Sequence, residues 1–567
     1  MINLKTTLAQ DVTEGLQAAM AAGDLPEVDE MPTVVVSHSD RAGQGDYASP
    51  IALSLTKLAK KPPLEIVEAI AKHMPKKEYI GAIEAAAPGF LNVWISEAWL
   101  SARVDNIATE HLCDDIEVGA GRMVNLEFIS ANPTGPLTLG NARTAFSVDT
   151  LGNVMQCAGF NVIREYYFND AGGQIRRLGE SVLRRILQEQ GETIEFPEEL
   201  YQGEYIKDLG DTITEEWKEN EGKTFSVQDL EDDAVLGHVS HRAMTKMLER
   251  IKRTITDDLH IQFDIWTSEQ QIRDSGAIDE ALEKLDGAGK TYEKDGALWF
   301  KTTDYGEEKD KVLVKKDGEY AYIMPDIGYH QDKFNRKYDH IFTFIGADHQ
   351  AQMPKVKAAM EALGNDVSKL HFVVAQWMAL KKDGKEFKPS KRKGHVYGPQ
   401  DLIKEIGYDA ARYFMVQHSL SSHMELDLDL AKERSERNPV YYVQYAYVRL
   451  QSILRKAKEQ GLINDIDGTV PLAQQVVLTE PAEFALLRIM YRLPEVVVDI
   501  TASFEVQPLA YYSHDLARAV HAFYGEVPVM AAQDPTVIKN RLQLVFAARN
   551  VLRQTLDLLG ISKPEVM

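Results

Sequence analysis

The segment from Glu127 to Arg143 constrains this chain more than any other, because it predicts a strand, a tight turn and a helix in succession. Val124, Leu126 and Phe128 alternate with polar neighbours, as in a half-buried strand. Asn132–Pro136 then brings proline and glycine, which break the pattern. Beyond this turn, apolar residues recur at helical spacing, at Ala145, Val148, Leu151, Met155 and Ala158. The free N–H groups at the start of such a helix attract anions such as phosphate, so this segment is a candidate nucleotide site.

Taken alone, the same residues also fit an ordinary turn between a strand and a helix, since short glycine motifs often occur by chance. A second segment favours the nucleotide site. Trp377–Gly394 holds seven lysine and arginine residues against two acidic residues, a local charge of +5 in a chain of net charge −23. Lysines on a loop suit a polyphosphate whose charge grows as a bond breaks, although a charged run is more often only a solvated surface.

Size and composition exclude several other classes of protein. With 567 residues, 44% of them hydrophobic and 26% charged, the chain predicts three or four globular domains. The acidic balance argues against nucleic-acid binding driven by overall charge, although local basic patches can bind RNA. Cys113 and Cys157 form no CxxC motif, which is typical of a reducing compartment and excludes a zinc site built from cysteines. No run approaches the roughly twenty apolar residues of a membrane span, so we expect a cytoplasmic protein that binds no membrane.

Residues 1–117 predict a small α/β domain. Helical patterns occur near Leu16 and Val67, Thr33–Val36 is a short buried-strand candidate, and Gly89–Ile95 predicts a closing strand.

Residues 118–407 predict a nucleotide-binding α/β domain with insertions. Phe342–Ile345 and Phe372–Val374 are strand candidates between helical stretches, and such alternation favours a parallel sheet. Ligands of such sheets lie at the carboxyl ends of the strands, where Glu127 and Gly346 would lie. The acidic stretch from Glu189 to Asp233 is interpreted as a solvated helical excursion.

Residues 408–567 predict only helices. Leu450, Ile453, Leu454 and Ala457 share one helical face, and Gly560 is a candidate helix end. Arginines lie on both sides of a cluster of tyrosines and one glutamine, a combination that suits the stacking of unpaired RNA bases: Arg434, Arg437, Tyr441, Tyr442, Gln444, Tyr445 and Arg449. The same tyrosines also fit the core of a helical bundle.

Together these segments resemble the signature pair of class I aminoacyl-tRNA synthetases. Thr138–Asn141 stands in the place of the His-Ile-Gly-His motif, and Lys388–Arg392 in the place of Lys-Met-Ser-Lys-Ser. The flanking motifs are similar to those of arginyl-tRNA synthetases and span nearly the whole chain: Asn132–Pro136, Tyr166–Gly172, Gly346–His349, Asn438–Ala446 and Leu556–Ile561. Several motifs in order are far more specific than any one.

Two departures from the family pattern concern the phosphate site. Thr138 and Asn141 replace imidazoles, and they can donate hydrogen bonds but cannot carry positive charge. Pro389 replaces a methionine and should stiffen its loop by fixing φ. Both loop lysines, Lys388 and Lys391, are retained.

The resemblance implies a multidomain α/β fold. Residues 1–117 would form a small tRNA-contacting α/β domain, residues 118–407 a Rossmann-like parallel-sheet catalytic domain, and residues 408–567 an all-α anticodon-binding bundle. The implied activity is ATP-dependent ligation of L-arginine to the 3′ end of its tRNA through an arginyl-adenylate, by a monomer. Mg²⁺ would arrive with ATP, so no metal site on the protein is expected.

The resemblance also assigns roles to single residues. Catalysis would involve Lys388, Lys391, Thr138 and Asn141. ATP would contact Pro133, Gly135, Pro136, Thr138, Gly140, Asn141, Ser390 and Lys391. Arginine would contact Glu127, Asn132, Tyr322, Asp326 and Gln350. The tRNA would contact Asn92, Tyr441, Gln444, Tyr445 and Arg449.

Chemistry supports part of this assignment and leaves alternatives open. A carboxylate can form two parallel hydrogen bonds with a guanidinium, and Asp326 offers one four residues after the phenol of Tyr322. Asp326 also fits a helix cap, Asn92 fits a turn at a strand end, and the register around Gln350 is open. Since the substrate carboxylate is itself the nucleophile, no Ser/His/Asp triad is expected.

Three other functions are compatible with parts of this sequence. A class I synthetase for another amino acid would share the signatures, although a cysteine enzyme would be expected to carry zinc-binding cysteines. A non-catalytic tRNA-binding paralogue is favoured by Thr138 and Asn141 and disfavoured by Lys388 and Lys391. A small-molecule adenylyltransferase would share the nucleotide site but not the helical C-terminal region.

Overall fold

The computed structural model describes residues 3–28, 30–39, 43–387, 397–467 and 475–567. The chain forms two compact units. The terminal unit comprises Met1–Val118, Ser435–Phe504 and Pro508–Met567, and the central unit comprises Gly119–Arg434 and Glu505–Gln507.

The N-terminal part of the terminal unit packs helices on an antiparallel sheet. Its elements are α1 (Leu4–Ala21), β1 (Ser37–His38), β2 (Tyr47–Ser49), α2 (Ile51–Ala59), α3 (Pro63–His73), β3 (Ile80–Ala86), β4 (Phe90–Ile95), α4 (Glu97–Ser101) and α5 (Val104–Thr109). The strand order is β1-β2-β4-β3. The predicted closing strand is confirmed as β4. The predicted strand at Thr33–Val36 is wrong, because pairing begins only at Ser37 and the Val35 side chain is 56% exposed.

The central unit alternates strands with helices, as predicted. Its elements are β5 (Met123–Glu127), α6 (Leu139–Cys157), β6 (Asn161–Phe168), α7 (Gly173–Glu189), α8 (Tyr205–Glu221), α9 (Asp233–Arg253), β7 (Ile265–Ser268), α10 (Glu269–Asp274), α11 (Ala277–Gly287), β8 (Thr291–Lys294), β9 (Ala297–Phe300), β10 (Lys311–Val314), α12 (Ile323–Asn335), β11 (His340–Gly346), α13 (Met353–Ala362), β12 (Leu370–Ala375), β13 (Met378–Lys382), β14 (Lys385–Phe387), α14 (Pro399–Ile406), α15 (Tyr408–Val416), β15 (Met424–Asp427) and α16 (Leu428–Lys432).

Five of these strands form the predicted parallel sheet, in the order β12-β11-β5-β6-β7. The central strand β5 is buried on both faces, with apolar Val124 and Leu126 on one face and polar Asn125 and Glu127 on the other. The chain leaves β5 towards β6 on one side and returns to β11 on the other. This reversal of strand order opens a crevice at the carboxyl ends of β5 and β11, where ligands of such sheets bind.

Residues just beyond the predicted boundary at 407/408 pack within the central unit. The Tyr408 ring meets Phe146 edge-on at 5.6 Å, and Arg412 pairs with Asp149 at 2.6 Å. β15 pairs in parallel with β13, which corrects the expectation of helices alone from Tyr408 onwards. Its alternation of buried and exposed side chains, typical of a strand, explains the difference.

The rest of the C-terminal region is helical: α17 (Pro439–Glu459), α18 (Pro481–Met490), α19 (Leu493–Ser503), α20 (Gln507–Glu526) and α21 (Pro535–Leu559). Asn438 caps α17 and is followed by a proline at the first helical position, a favourable start. Gly560 ends α21 with φ of 69°, as predicted from the sequence. Short helices lie at Leu112–Asp115, Val227–Leu230, Thr254–Asp258, Thr302–Tyr305, Ala347–Gln352 and Val367–Lys369.

A buried carboxylate joins the two ends of the chain inside the terminal unit. Glu495 of α19 is only 1% exposed. It accepts hydrogen bonds from the Lys5 N–H (2.9 Å) and the Tyr47 hydroxyl (2.8 Å) and lies 2.6 Å from His38 Nε2. Burial, with the nearby Glu495 charge, raises the pKa of Tyr47, so this hydroxyl is a firm donor. The N-terminal sheet and the C-terminal helices therefore share a polar contact.

Neither of the two cysteines, Cys113 and Cys157, is a free thiol. The prediction of a reducing compartment from cysteine usage therefore has no support from the structure. No helix in the described part of the chain is both long and apolar enough to cross a membrane.

The close approach of α7 and α9 predicts a stability effect at Gly179. A Cβ atom added there would lie 2.6 Å from Ser240 Cα, a backbone atom that cannot move alone. We expect Gly179→Ala to lower the free energy of unfolding by about 1–3 kcal/mol, as overpacking does. Calorimetric or urea unfolding of the full chain would measure it.

Gly237→Ala is the matched control, because Gly237 lies on α9, the helix that α7 packs against, and an added Cβ would meet nothing within 4 Å. This variant should be unchanged or more stable by up to about 1 kcal/mol, from helix propensity alone. Equal stability of the two variants would contradict the packing argument.

Candidate functional site

The turn after β5 is held in a strained conformation by hydrogen bonds. Ile129 and Ser130 have positive φ angles of 66° and 41°, which residues with a Cβ, and above all β-branched ones, rarely adopt. The Tyr166 hydroxyl donates to the Ala131 carbonyl (2.8 Å) and accepts from the Ala131 N–H (3.1 Å). Ser130 Oγ donates to Glu127 Oε1 at 3.0 Å. Such strain is typical of functional sites, and here it fixes the surroundings of Glu127.

Asn132 completes this turn with both ends of its amide engaged. Its Oδ1 accepts from the Asn169 N–H (3.3 Å), and its Nδ2 donates to Gln174 Oε1 (3.1 Å). The side chain is thereby oriented at the carboxyl edge of the sheet.

The start of α6 is closed by a reciprocal cap between the two residues that replace the family imidazoles. Asn141 Oδ1 accepts from the Thr138 N–H (2.9 Å) and from the Thr138 hydroxyl (2.8 Å). Thr138 Oγ1 in turn accepts from the Asn141 N–H at 3.4 Å. This is a capping box, which satisfies helix-terminal donors. The Thr138 hydroxyl proton is used inside the cap, so what the pair can offer a phosphate is the Asn141 NH₂ group.

A cavity of about 510 Å³ opens in the crevice of the central unit, at the carboxyl ends of the strands. Four predicted arginine ligands line it: Glu127, Asn132, Tyr322 and Asp326. The fifth, Gln350, is exposed on the turn Ala347–Gln352. Gln352 lines the cavity instead and donates to Asp326 Oδ2 at 3.1 Å. The sequence left the register of this turn open, and an arginine contact at Gln350 stays a prediction.

Glu269 is a cavity residue that the sequence reasoning missed. It is 5% exposed, and its Oε2 accepts from the Tyr167 hydroxyl at 3.0 Å. Arg273 donates to its Oε1 through Nε (3.1 Å) and Nη2 (2.6 Å). Glu269 follows β7 directly, and ligands of parallel sheets bind at the carboxyl ends of the strands. The sequence would therefore have indicated Glu269 if Ile265–Ser268 had been identified as a strand.

Three carboxylates thus surround the cavity, and they differ in their partners. Glu127 lies 2.5 Å from Lys333 Nζ and Glu269 lies 2.6 Å from Arg273. Within the described residues Asp326 forms no ion pair. Burial raises the pKa of Asp326 to about 7, the Glu127 and Glu269 charges add to the rise, and the Gln352 hydrogen bond opposes it. Asp326 is therefore the carboxylate that lacks a cation.

The predicted ATP-binding residues are only partly described. Pro133, Gly135, Pro136 and Gly140 lie on the turn and at the first turn of α6. Their segment is supported by Tyr205, whose hydroxyl donates to the Thr134 carbonyl at 2.9 Å. Lys388, Ser390 and Lys391 lie outside the described residues.

Within the described residues, no group of three or more His, Cys, Asp or Glu side chains is arranged to hold a metal ion.

The tRNA-contact candidates of the C-terminal region lie on α17 in the terminal unit. Tyr441 stacks on Tyr445 with ring centroids 5.9 Å apart, and the Arg449 guanidinium lies 4.5 Å from the Tyr445 ring. These three side chains are half-buried. Gln444 is 7% exposed and donates to the Ser562 carbonyl and hydroxyl, both at 3.1 Å. Its surroundings favour a structural role, and a tRNA contact at Gln444 stays a prediction.

Asn92 lies within β4 and not at its end, opposite Ala48 and Glu84. It is 4% exposed. A tRNA contact at Asn92 also stays a prediction, and its burial counts against it.

Comparison with known protein families identifies all three regions. Residues 6–95 match the arginyl tRNA synthetase N terminal domain, and residues 103–426 match the catalytic domain of class I (R) tRNA synthetases. Residues 443–567 match the DALR anticodon binding domain.

Curated relatives match over their full length. Arginine–tRNA ligase of Geobacillus kaustophilus is 39% identical over 568 residues, and that of Bacillus subtilis is 37% identical over 570 residues, with 100% of each chain covered in both cases. The structure of Thermus thermophilus arginyl-tRNA synthetase shares the fold, with a TM-score of 0.75 at 20% identity over 100% of both chains. This chain therefore belongs to the arginyl-tRNA synthetases, a family of class I aminoacyl-tRNA synthetases.

Proposed function

We propose that this chain activates L-arginine with ATP and transfers it to the 3′ end of its tRNA. The observation that carries the proposal is the cavity in which Asp326, which has no cationic partner among the described residues, lies beside two carboxylates that each pair with a cation. Such a cavity suits a ligand that brings one planar cation with it.

Asp326 would bind the guanidinium through two parallel hydrogen bonds, with Tyr322 and Glu269 offering further oxygen acceptors on the cavity wall. Gln352 already orients the Asp326 carboxylate. An amino acid with an apolar side chain would leave these buried polar groups without partners. Such a loss discriminates between substrates more strongly than a loss of apolar contact does.

Glu127 and Asn132 would bind the α-amino end of the substrate. Both line the cavity beside the turn that leads to α6. Arginine bound between them and Asp326 would direct its carboxylate towards the helix start.

ATP would bind at the turn and at the N–H groups of the first turn of α6, through Pro133, Gly135, Pro136, Gly140 and Asn141. The arginine carboxylate attacks the α-phosphate, pyrophosphate leaves, and the tRNA hydroxyl then attacks the adenylate. Catalysis depends on placement and on positive charge at the departing phosphates, which Lys388, Ser390 and Lys391 would supply. Mg²⁺ would come with the nucleotide and neutralise part of its charge.

The tRNA would be bound by a cytoplasmic monomer through the terminal unit. Tyr441, Tyr445 and Arg449 form an aromatic and cationic surface of the kind that stacks RNA bases.

A non-catalytic tRNA-binding paralogue is the second candidate, because Thr138 and Asn141 bond mainly to each other. Aminoacylation of total tRNA with each amino acid in turn, together with pyrophosphate exchange with and without tRNA, separates the two functions. We expect charging with arginine alone. Tight tRNA binding without any charging would establish the paralogue.

The pKa of Asp326 predicts a pH-dependent affinity for arginine. Below about pH 7 the carboxyl of the free protein holds a proton, and binding the guanidinium requires its release. The dissociation constant should therefore fall about tenfold per pH unit as pH rises to about 7, and level off above it. Calorimetric titration between pH 5.5 and 8 would measure both the affinity and the released proton.

Asp326→Asn is the control for this titration, because it keeps the shape and removes the charge. It should bind arginine weakly, with no pH dependence, and should abolish arginine activation while the fold is retained. The assignment would be wrong if this variant kept the wild-type slope or the wild-type turnover.

Lys391→Ala tests the charge at the departing phosphates. A group that acts mainly in the transition state should lower the activation rate by about 10²- to 10³-fold while arginine affinity changes little. Single-turnover adenylate formation and equilibrium titration would separate the two effects. Lys385→Ala, which removes the same charge from exposed β14, is the matched control and should be near wild type. Equal losses in rate and affinity for Lys391→Ala would count against the assignment.

A further inference from the structure

Lys333 is a fully buried lysine behind the arginine cavity. Its side chain is 0% exposed, and Nζ lies 2.5 Å from Glu127 Oε2 and 3.3 Å from Thr343 Oγ1. The ammonium also faces the Tyr329 ring, 4.5 Å from its centroid. Lys333 is on α12, seven residues after Asp326, so one face of this helix carries both groups.

The shortest contact between the ammonium and a cavity-lining side chain is the one with Glu127. Glu127 and Thr343 line the cavity, whereas Lys333 is not part of its wall. Glu127 Oε2 is occupied by Lys333 and by the Thr343 hydroxyl at 3.1 Å. Glu127 Oε1 accepts from Ser130, another wall residue, and a carboxylate oxygen can accept a second donor.

We propose that Lys333 is a positioning residue for the α-amino group of arginine. By holding Oε2, it fixes the Glu127 carboxylate so that Oε1 accepts a hydrogen bond from the substrate ammonium. This inference rests on the proposed function and extends it to a residue that does not touch the substrate.

Stability alone does not account for this arrangement. The attraction between two buried charges offsets their loss of hydration only when the geometry is good. Apolar residues of similar size at such positions often give a protein that is equally stable. What an apolar pair cannot do is hold an anionic oxygen at the cavity wall. The effect of Lys333 should therefore depend on the part of the ligand that meets Glu127.

The first test compares two ligands on Lys333→Met in the full chain. L-Arginine should bind about 10- to 100-fold more weakly, the size expected when a charged hydrogen bond is lost. 5-Guanidinopentanoate, which lacks the α-amino group, should bind as it does to the wild type. A merely structural defect would weaken both ligands equally, and that result would overturn the proposal.

The second test is a double-mutant cycle with Glu127→Gln. The double variant Glu127→Gln/Lys333→Met buries no unpaired charge, so it can fold where Lys333→Met alone does not. If Lys333 acts through Glu127, the double variant should bind arginine as weakly as Glu127→Gln and no more weakly. If the losses of arginine affinity in the two single variants add up in the double variant, the proposal is overturned.

Arg336→Met is the matched control, at the residue that caps the C-terminal end of the same helix. Arg336 pairs with buried Glu165 at 2.9 Å, and neither residue lines the cavity. Arg336→Met should change the affinities for L-arginine and 5-guanidinopentanoate by the same factor. A selective loss of affinity for L-arginine would count against a special role for Lys333. Wild-type protein that fails to bind arginine would instead refute the proposed function, so the two failures are distinguishable.

Discussion

The cavity at the carboxyl edge of the parallel sheet depends on a balance of charge among three carboxylates that are partly or fully out of water. Glu127 is neutralised by Lys333 and Glu269 by Arg273. In the part of the chain that the structure describes, Asp326 has only the amide of Gln352. Burial raises the pKa of Asp326 to about 7, so in the free protein this carboxyl takes up a proton and avoids an uncompensated buried charge. A guanidinium would complete the balance, so ligand binding and proton release become one event.

The parallel sheet explains why these groups meet. Glu127 ends β5, Glu269 follows β7, and α12 carries Asp326 in its first turn and leads into β11. The alternation of Val124, Leu126 and Phe128 predicted β5, and the short runs Phe342–Ile345 and Phe372–Val374 predicted β11 and β12. Ligands of a parallel sheet bind at the carboxyl ends of its strands, which indicated the edge of the sheet. Glu127, Asn132, Tyr322 and Asp326 were predicted from the resemblance to a known family, and the strand pattern alone indicated only the edge on which Glu127 lies.

Other features depend on contacts that no local pattern encodes. Glu269 follows a strand of four residues, too short for a clear period. Gln350 and Gln352 could be separated only by the geometry of the turn that carries them. The contacts of Glu495 with Lys5, His38 and Tyr47 join residues more than four hundred positions apart, so the pairing of the N-terminal sheet with the C-terminal helices follows from the fold alone. The mutual cap of Thr138 and Asn141 could not be predicted either. From the sequence alone the Thr138 hydroxyl could donate to a phosphate, whereas in the structure it donates to Asn141.

That cap changes where positive charge must come from in the proposed reaction. A helix N-terminus contributes about half an elementary charge, spread over its free N–H groups. The two imidazoles of the family pattern could add charge there, whereas Thr138 and Asn141 add none and use one hydroxyl proton on each other. The departing pyrophosphate carries several negative charges, which the partial charge of a helix start cannot balance. In the proposed reaction, further neutralisation would come from the Mg²⁺ that accompanies the nucleotide and from Lys388 and Lys391, which belong to a window of local charge +5 in a chain of net charge −23.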